Sequence, residues 1–139
     1  MMTHVFDGRC HCGNITYAFK ATAGLDELGL RACQCSFCRA HGARTTSDPA
    51  GALQLWIKDE SRLTRYRFGL KTANFLICTR CGVFVGAMMS EAERSWMTIN
   101  ANTFAPPPLT HPLAPMDFSS EDATVRTARR KAKWTPVTG

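Results

Sequence analysis

Seven cysteines in three tight clusters restrict the folding of this chain more than any other feature. The clusters are Cys10-His11-Cys12-Gly13, Cys33-Gln34-Cys35-Ser36-Phe37-Cys38 and Cys78-Thr79-Arg80-Cys81-Gly82. An odd count argues against a closed disulfide framework. The first eight residues, Met1 to Gly8, show neither a basic n-region nor an apolar h-region, so no secretory signal is read there. The expected location is therefore the cytoplasm, where thiols stay reduced. Clustered, reduced thiols in such a chain point to metal ligation or catalysis.

The third cluster is a C-x-x-C-G turn, in which two thiolates reach one ion and glycine supplies the positive φ after the second cysteine. A closed tetrahedral site needs four ligands, and the C-x-C-G cluster offers two more. Cys10, Cys12, Cys78 and Cys81 are therefore expected to hold a structural zinc that clamps two strand ends. The middle cluster packs three cysteines into six residues. Cys33, Cys35 and Cys38 can bind a second zinc from one side and leave a fourth position open, as catalytic zinc sites do. His41, three residues after Cys38, is the alternative: as fourth ligand it closes the site, and as neutral imidazole it can serve as a general base. Redox-active cysteines without metal remain a further reading of this cluster.

The body around these clusters reads as antiparallel β within one domain, residues 1–139. Asn14 to Phe19 alternates, with Ile15, Tyr17 and Phe19 on one face. Leu53 to Ile57, Thr64 to Phe68, Ala73 to Ile77, Val83 to Met89 and Trp96 to Asn100 are further strands, with a hairpin turn at Gly69 to Lys71. Trp56 and Trp96 are expected in the core. Asp48-Pro49-Ala50-Gly51 marks a turn, and the prolines from Pro106 through Pro112 to Pro115 mark a covering loop. One helix is expected from Glu121 to Lys133, capped by Ser119 with Asp122. His11, between two ligands, should point away from the metal; His4 and His111 read as surface residues, and Glu91 and Glu93 as solvated. No apolar run approaches the ~20 residues of a membrane helix. The formal charge of +6 falls to roughly +3 once a four-thiolate and a three-thiolate zinc are counted, so basicity argues only weakly for nucleic acid.

The ordered set G-x-C-x-C-G, C-x-C-S-x-C-R and C-x-x-C-G resembles the glutathione-dependent formaldehyde-activating (Gfa) or CENP-V domain family. The residues that carry it are Gly8, Cys10, Cys12 and Gly13; Cys33, Cys35, Ser36, Cys38 and Arg39; and Cys78, Cys81 and Gly82. The ending Arg129 to Pro136, basic with Trp134, is similar to that of many members. The resemblance implies a mainly β "β-tent" fold held by zinc, with the outer clusters structural and the middle one catalytic. It further implies a carbon–sulfur lyase that joins glutathione with formaldehyde, or separates them, through S-hydroxymethylglutathione. The expected partner is thus a small-molecule thiol or its aldehyde adduct. Arg39 and Arg44, close to the middle cluster, are the candidates for binding its carboxylates. The segment Ala40 to Pro49, with His41 and a Ser-Asp-Pro turn, departs from the apolar stretch common in the family.

The alternative to an enzyme is a zinc-ribbon-like interaction module. Its motivation is the basic helix between Arg126 and Lys133. Only Trp134 interleaves an aromatic there, which suits nucleic-acid stacking poorly.

Overall fold

The computed structural model describes residues 3–108 and 111–138. In chain order the elements are β1 (His4–Arg9), β2 (Ile15–Ala21), α1 (Leu25–Leu28), β3 (Leu30–Cys33), α2 (Ser36–His41), β4 (Thr45–Thr46) and β5 (Ala52–Ile57). There follow β6 (Leu63–Tyr66), β7 (Asn74–Cys78), β8 (Phe84–Glu91), β9 (Arg94–Asn100), β10 (Leu113–Met116), α3 (Ala123–Lys133) and β11 (Thr135–Pro136). The mainly β, largely antiparallel expectation holds, and each strand read from the sequence is present with its ends displaced by at most two residues.

Two sheets form. The smaller has the order β1-β2-β5; the larger runs β10-β3-β4-β9-β8-β7-β6, with β11 added beside β9. Alternation decides what each buries. Ile15, Tyr17, Phe19 and Ala21 of β2 are buried, and they pack with Leu53 of β5 and Leu76, Val85, Met97 and Ile99 of the large sheet. Period-two patterning thus places one apolar row per strand between the two sheets. The β8–β9 pairing is tight at Gly86: a Cβ there would lie 2.5 Å from the carbonyl oxygen of Thr98. The Tyr17 hydroxyl ends the core row in a 2.6 Å hydrogen bond with the Thr103 hydroxyl.

Four expectations need correction. Trp56 is 47% exposed, whereas Trp96 is buried. Leu53, Leu55 and Ile57 occupy the inward face of β5, and alternation turns Trp56 outward. The helix begins at Ala123, and its cap is Asp122, whose carboxylate accepts from the Val125 N–H at 2.8 Å. Ser119 does not cap it; its own N–H donates to Asp117. The proline-rich loop contains a strand: β10 pairs in parallel with β3, Leu113 beside Leu30 and Met116 beside Cys33. Pro115 is tolerated because β10 is the edge of its sheet. Residues 109 and 110 of that loop lie outside the described residues. His111 is not a plain surface residue, since its side chain is only 15% exposed and Nε2 lies 3.5 Å from an Asp26 carboxylate oxygen.

The Ser47-Asp48-Pro49 turn acts as a fastener. Asp48 is buried and accepts from the Thr22 N–H and hydroxyl, both at 2.7 Å, and from the Ala50 N–H. Burial alone would raise its pKa, but these donors bring the carboxyl below its ordinary value. The Ser47 hydroxyl donates to the Lys133 carbonyl at 2.7 Å, and the Asp48 N–H donates to Thr135. These bonds dock the end of α3 against the large sheet.

Candidate functional site

Two groups of cysteine sulfurs converge, each with all its sulfurs within 4.8 Å of one another: Cys10, Cys12, Cys78 and Cys81, and separately Cys33, Cys35 and Cys38. In the first group Cys10 and Cys12 follow β1, while Cys78 ends β7 and Cys81 lies in the next turn. Gly13 and Gly82, each directly after the second cysteine of a pair, have φ of 82° and 79°. This left-handed conformation lets the chain turn back while the cysteines stay on one side. The sulfur of Cys12 lies 3.8 Å from that of Cys10 and 3.5 Å from that of Cys78. A tetrahedron with metal–sulfur bonds of about 2.3 Å sets its sulfurs about 3.8 Å apart, so the donor set fits a four-thiolate ion such as zinc. The Ile15 N–H points at the Cys10 sulfur at 3.3 Å. Burial first, then its thiol neighbours, push Cys10 up to about 11. Burial also acts to raise Cys81, but backbone N–H groups of Cys12 and Val83 outweigh it and bring Cys81 down to about 6.

The second group is built by a strand end and a short helix. Cys33 ends β3, and Cys35 is the N-cap of α2, its sulfur accepting from the Cys38 N–H at 3.3 Å. Gly42 closes the helix with φ of 60°. Phe37 anchors it: the ring lies 4.9 Å from both Phe75 and Phe84, centroid to centroid, and 5.5 Å from Phe68. The helix therefore presents Cys35 and Cys38 toward Cys33 from a fixed base. Hydrogen bonds from Cys33 and then Cys38 hold the Cys35 thiol far below the usual thiol range, and backbone N–H groups of Cys38 and Phe37 add to this. The same sharing pushes Cys33 and Cys38 up. Three sulfurs with one already favouring the thiolate suit a three-ligand metal site with a free position.

Of the two groups, only the second lines a partly open cavity of about 170 Å³ between the sheet and the C-terminal helix; Cys10 of the four-sulfur group lines a separate, more open cleft beside Pro106 and Pro107. Phe68, Phe75, Phe84, Ala87 and Trp134 form the apolar wall of the cavity, and Arg31, Arg126, Arg129 and Arg130 its cationic one. Neither Arg39 nor Arg44 lines it. Arg39 is exposed on α2, and Arg44 binds Asn102. His41 lies outside the three-sulfur group, its ring 4.5 Å from that of Phe37 and 5.6 Å from that of Phe84. His11, although between two candidate ligands, belongs to neither group. The cationic wall was the part not anticipated. Arg126, Arg129 and Arg130 stand at i, i+3 and i+4, the spacing of one helix face. That face turns inward. Glu121, 12% exposed, pairs with Arg126 at 3.3 Å and Arg129 at 2.8 Å, and the Arg129 guanidinium lies 3.6 Å from the Phe118 ring centre.

A mainly β scaffold carries two cysteine groups that could each hold a metal ion, one of them facing a cavity rich in arginine. The chain belongs to the glutathione-dependent formaldehyde-activating enzyme family, whose sequence profile matches residues 5–120. It is also similar to the crystal structure of a Rhodobacter sphaeroides protein, at 26% identity and a TM-score of 0.57, over 78% of this chain and 99% of that one. Among the described residues, no helix is long and apolar enough to cross a membrane.

Proposed function

We propose that this protein is a zinc-dependent carbon–sulfur lyase that makes or breaks a thiol–aldehyde adduct of the S-hydroxymethylglutathione type. In this reading Cys10, Cys12, Cys78 and Cys81 hold a structural zinc, and Cys33, Cys35 and Cys38 hold the working one. The observation that carries it is the opening of the three-cysteine group, and not the four-cysteine group, on the cavity. Family membership supports the same chemistry.

Zinc held by three thiolates supplies Lewis acidity and lowers the pKa of a thiol or oxygen that reaches it. The protein's own residues do the remaining work. Phe68, Phe75 and Phe84 exclude water from one side of the reacting groups, which strengthens every charge interaction there. In the joining direction a C–S bond forms, the carbonyl π pair moves to oxygen, and the thiol proton finishes on that oxygen. Cleavage reverses each step, and neither direction needs an oxidant or reductant. Asp117 lines the cavity, but hydrogen bonds from Ser119 hold its carboxyl below the ordinary value, so it stays ionised and is a poor proton donor near neutral pH.

The interaction-module reading loses its main support, because Arg126, Arg129 and Arg130 face the cavity and leave only Lys131 and Lys133 on the outer surface of the helix end. The test is exchange NMR on formaldehyde, glutathione and their adduct at equilibrium. Zinc-loaded wild type is expected to accelerate the exchange and Cys35→Ser is not. No acceleration with glutathione or with any of a panel of small thiols would refute the lyase assignment.

A further inference from the structure

We propose that the cavity beside the three cysteines is built for a carboxylate, that Arg31 and Arg130 bind it, and that the reacting thiol or aldehyde is therefore a small acid. The inference deepens the lyase reading, on which the word "reacting" rests; the carboxylate site itself stands on the arginines.

The four guanidinium groups of the wall are not equivalent. Arg126 and Arg129 already have the Glu121 carboxylate. Arg31 and Arg130 have only neutral partners. The Arg31 Nη2 donates to the Ser47 hydroxyl at 2.6 Å and to the Thr98 hydroxyl at 3.2 Å. Arg130 donates from Nη1 to the Thr72 hydroxyl at 2.8 Å, and its guanidinium lies 4.7 Å from the Trp134 ring centre. Arg130 is only 7% exposed, and its buried Nε has no hydrogen-bond partner among the described residues. With Nη1 occupied by Thr72, Nε and Nη2 remain as the side-on fork that receives both oxygens of a carboxylate.

A buried cation without an anion is costly, and here the cost is visible. Burial first, then the neighbouring Arg129 and Arg126, bring Arg130 down to about 10. The Glu121 carboxylate, already shared by Arg126 and Arg129, favours the charge on Arg130 from a distance without bonding to it. Among the described residues no carboxylate bonds directly to Arg31 or Arg130, so the fork is left for an anion from outside.

Size limits that anion. A cavity of about 170 Å³ falls below the ~300–1,000 Å³ of clefts for drug-sized ligands. Phe75, Phe84 and Ala87 line the same cavity as the thiols and the arginines, which suits a short carbon chain with sulfur or aldehyde at one end and carboxylate at the other.

The experiment is calorimetric titration of zinc-loaded protein with 3-mercaptopropionate and with its neutral amide. The acid is expected to bind about tenfold or more tightly, a preference lost in Arg130→Lys and Arg31→Gln and kept in Arg39→Gln. Equal affinity of acid and amide for wild type overturns the proposal without any variant having to fold. Propionate and propionamide, which have no thiol, are then titrated into Cys35→Ser. Preference for propionate there upholds the carboxylate site independently of the metal; if, in addition, 3-mercaptopropionate binds zinc-loaded wild type no more tightly than propionate does, the zinc reading fails while the carboxylate site stands. No preference there or in zinc-loaded wild type overturns the carboxylate site, while tight thiol binding leaves the zinc reading intact.

Discussion

Replacing one cysteine in each group by serine should have very unequal consequences for stability. Cys12 and Cys78 are 66 residues apart in sequence, and one ion would join them across the two sheets. The loop-closure relation for a cross-link of that span gives about 4 kcal/mol. Domains of this kind have total stabilities of about 5–15 kcal/mol, so that loss is a large fraction. At this chain length it corresponds to a fall of roughly 15 °C in melting temperature. Cys35 differs because its group spans one strand end and one helix start, and its structural duty is the N-cap of α2. Serine is among the best N-cap residues, so Cys35→Ser removes a thiolate while keeping the cap, at a cost of about 0.5 kcal/mol or less. The assay is metal per chain by plasma emission, together with thermal unfolding by circular dichroism, on protein purified without oxygen. Cys35→Ser should lose one metal and melt within about 3 °C of wild type; Cys12→Ser should lose the other metal and melt far lower. Equal destabilisation by the two substitutions, or retention of both metals in Cys12→Ser, would refute the division into a closed and an open site.

Acid should loosen the helix that walls the cavity. Hydrogen bonds from Arg129, then Arg126, hold the Glu121 carboxyl below its ordinary value near 4.5. A depressed carboxyl contributes stability above its unfolded value that is lost as pH falls through the lower folded one. Glu121→Gln should therefore cost about 1–2 kcal/mol near neutrality and flatten the acid limb of a stability–pH curve, measured by urea unfolding. Gly86→Ala should destabilise by about 2 kcal/mol or more in the same assay, because the new methyl meets the Thr98 carbonyl and the backbone must shift.

The parts of the structure that the sequence disclosed are those where one local rule was undisturbed. Ile15, Tyr17 and Phe19 alternate and are buried, and the spacing of the seven cysteines matches the two sulfur groups found. Trp56 shows the same rule misapplied: with Leu53, Leu55 and Ile57 already facing inward, alternation required the indole to face out. β3 and β10 are four residues each and make a parallel pair, so no hairpin signal announced them. α2 was hidden because its residues were read as ligands; Cys35 as N-cap and Gly42 with positive φ are its markers. The arginine wall left a trace in the i, i+3, i+4 spacing of Arg126, Arg129 and Arg130, but basic residues on a helix ordinarily face water. The pairing of β10 with β3 before the helix and of β11 with β9 after it directs that face to the cysteines, and no local pattern encodes either. Arg39 and Arg44 were chosen for nearness in sequence, yet α2 and the turn after it carry them out of the cavity.

That parallel pairing also sets an order of assembly. Every cysteine lies at or before Cys81, whereas the cavity wall is completed by residues from Asp117 to Trp134. During synthesis the thiols emerge first, roughly two to seven seconds ahead of the wall at ~5–20 residues per second. A metal ion can thus meet the three-cysteine group while it is still uncovered, and the arginines close over it afterwards. Once β10 has joined β3, an ion bound there would share its cavity with the arginines of α3, whose positive charge disfavours the entry of a further cation.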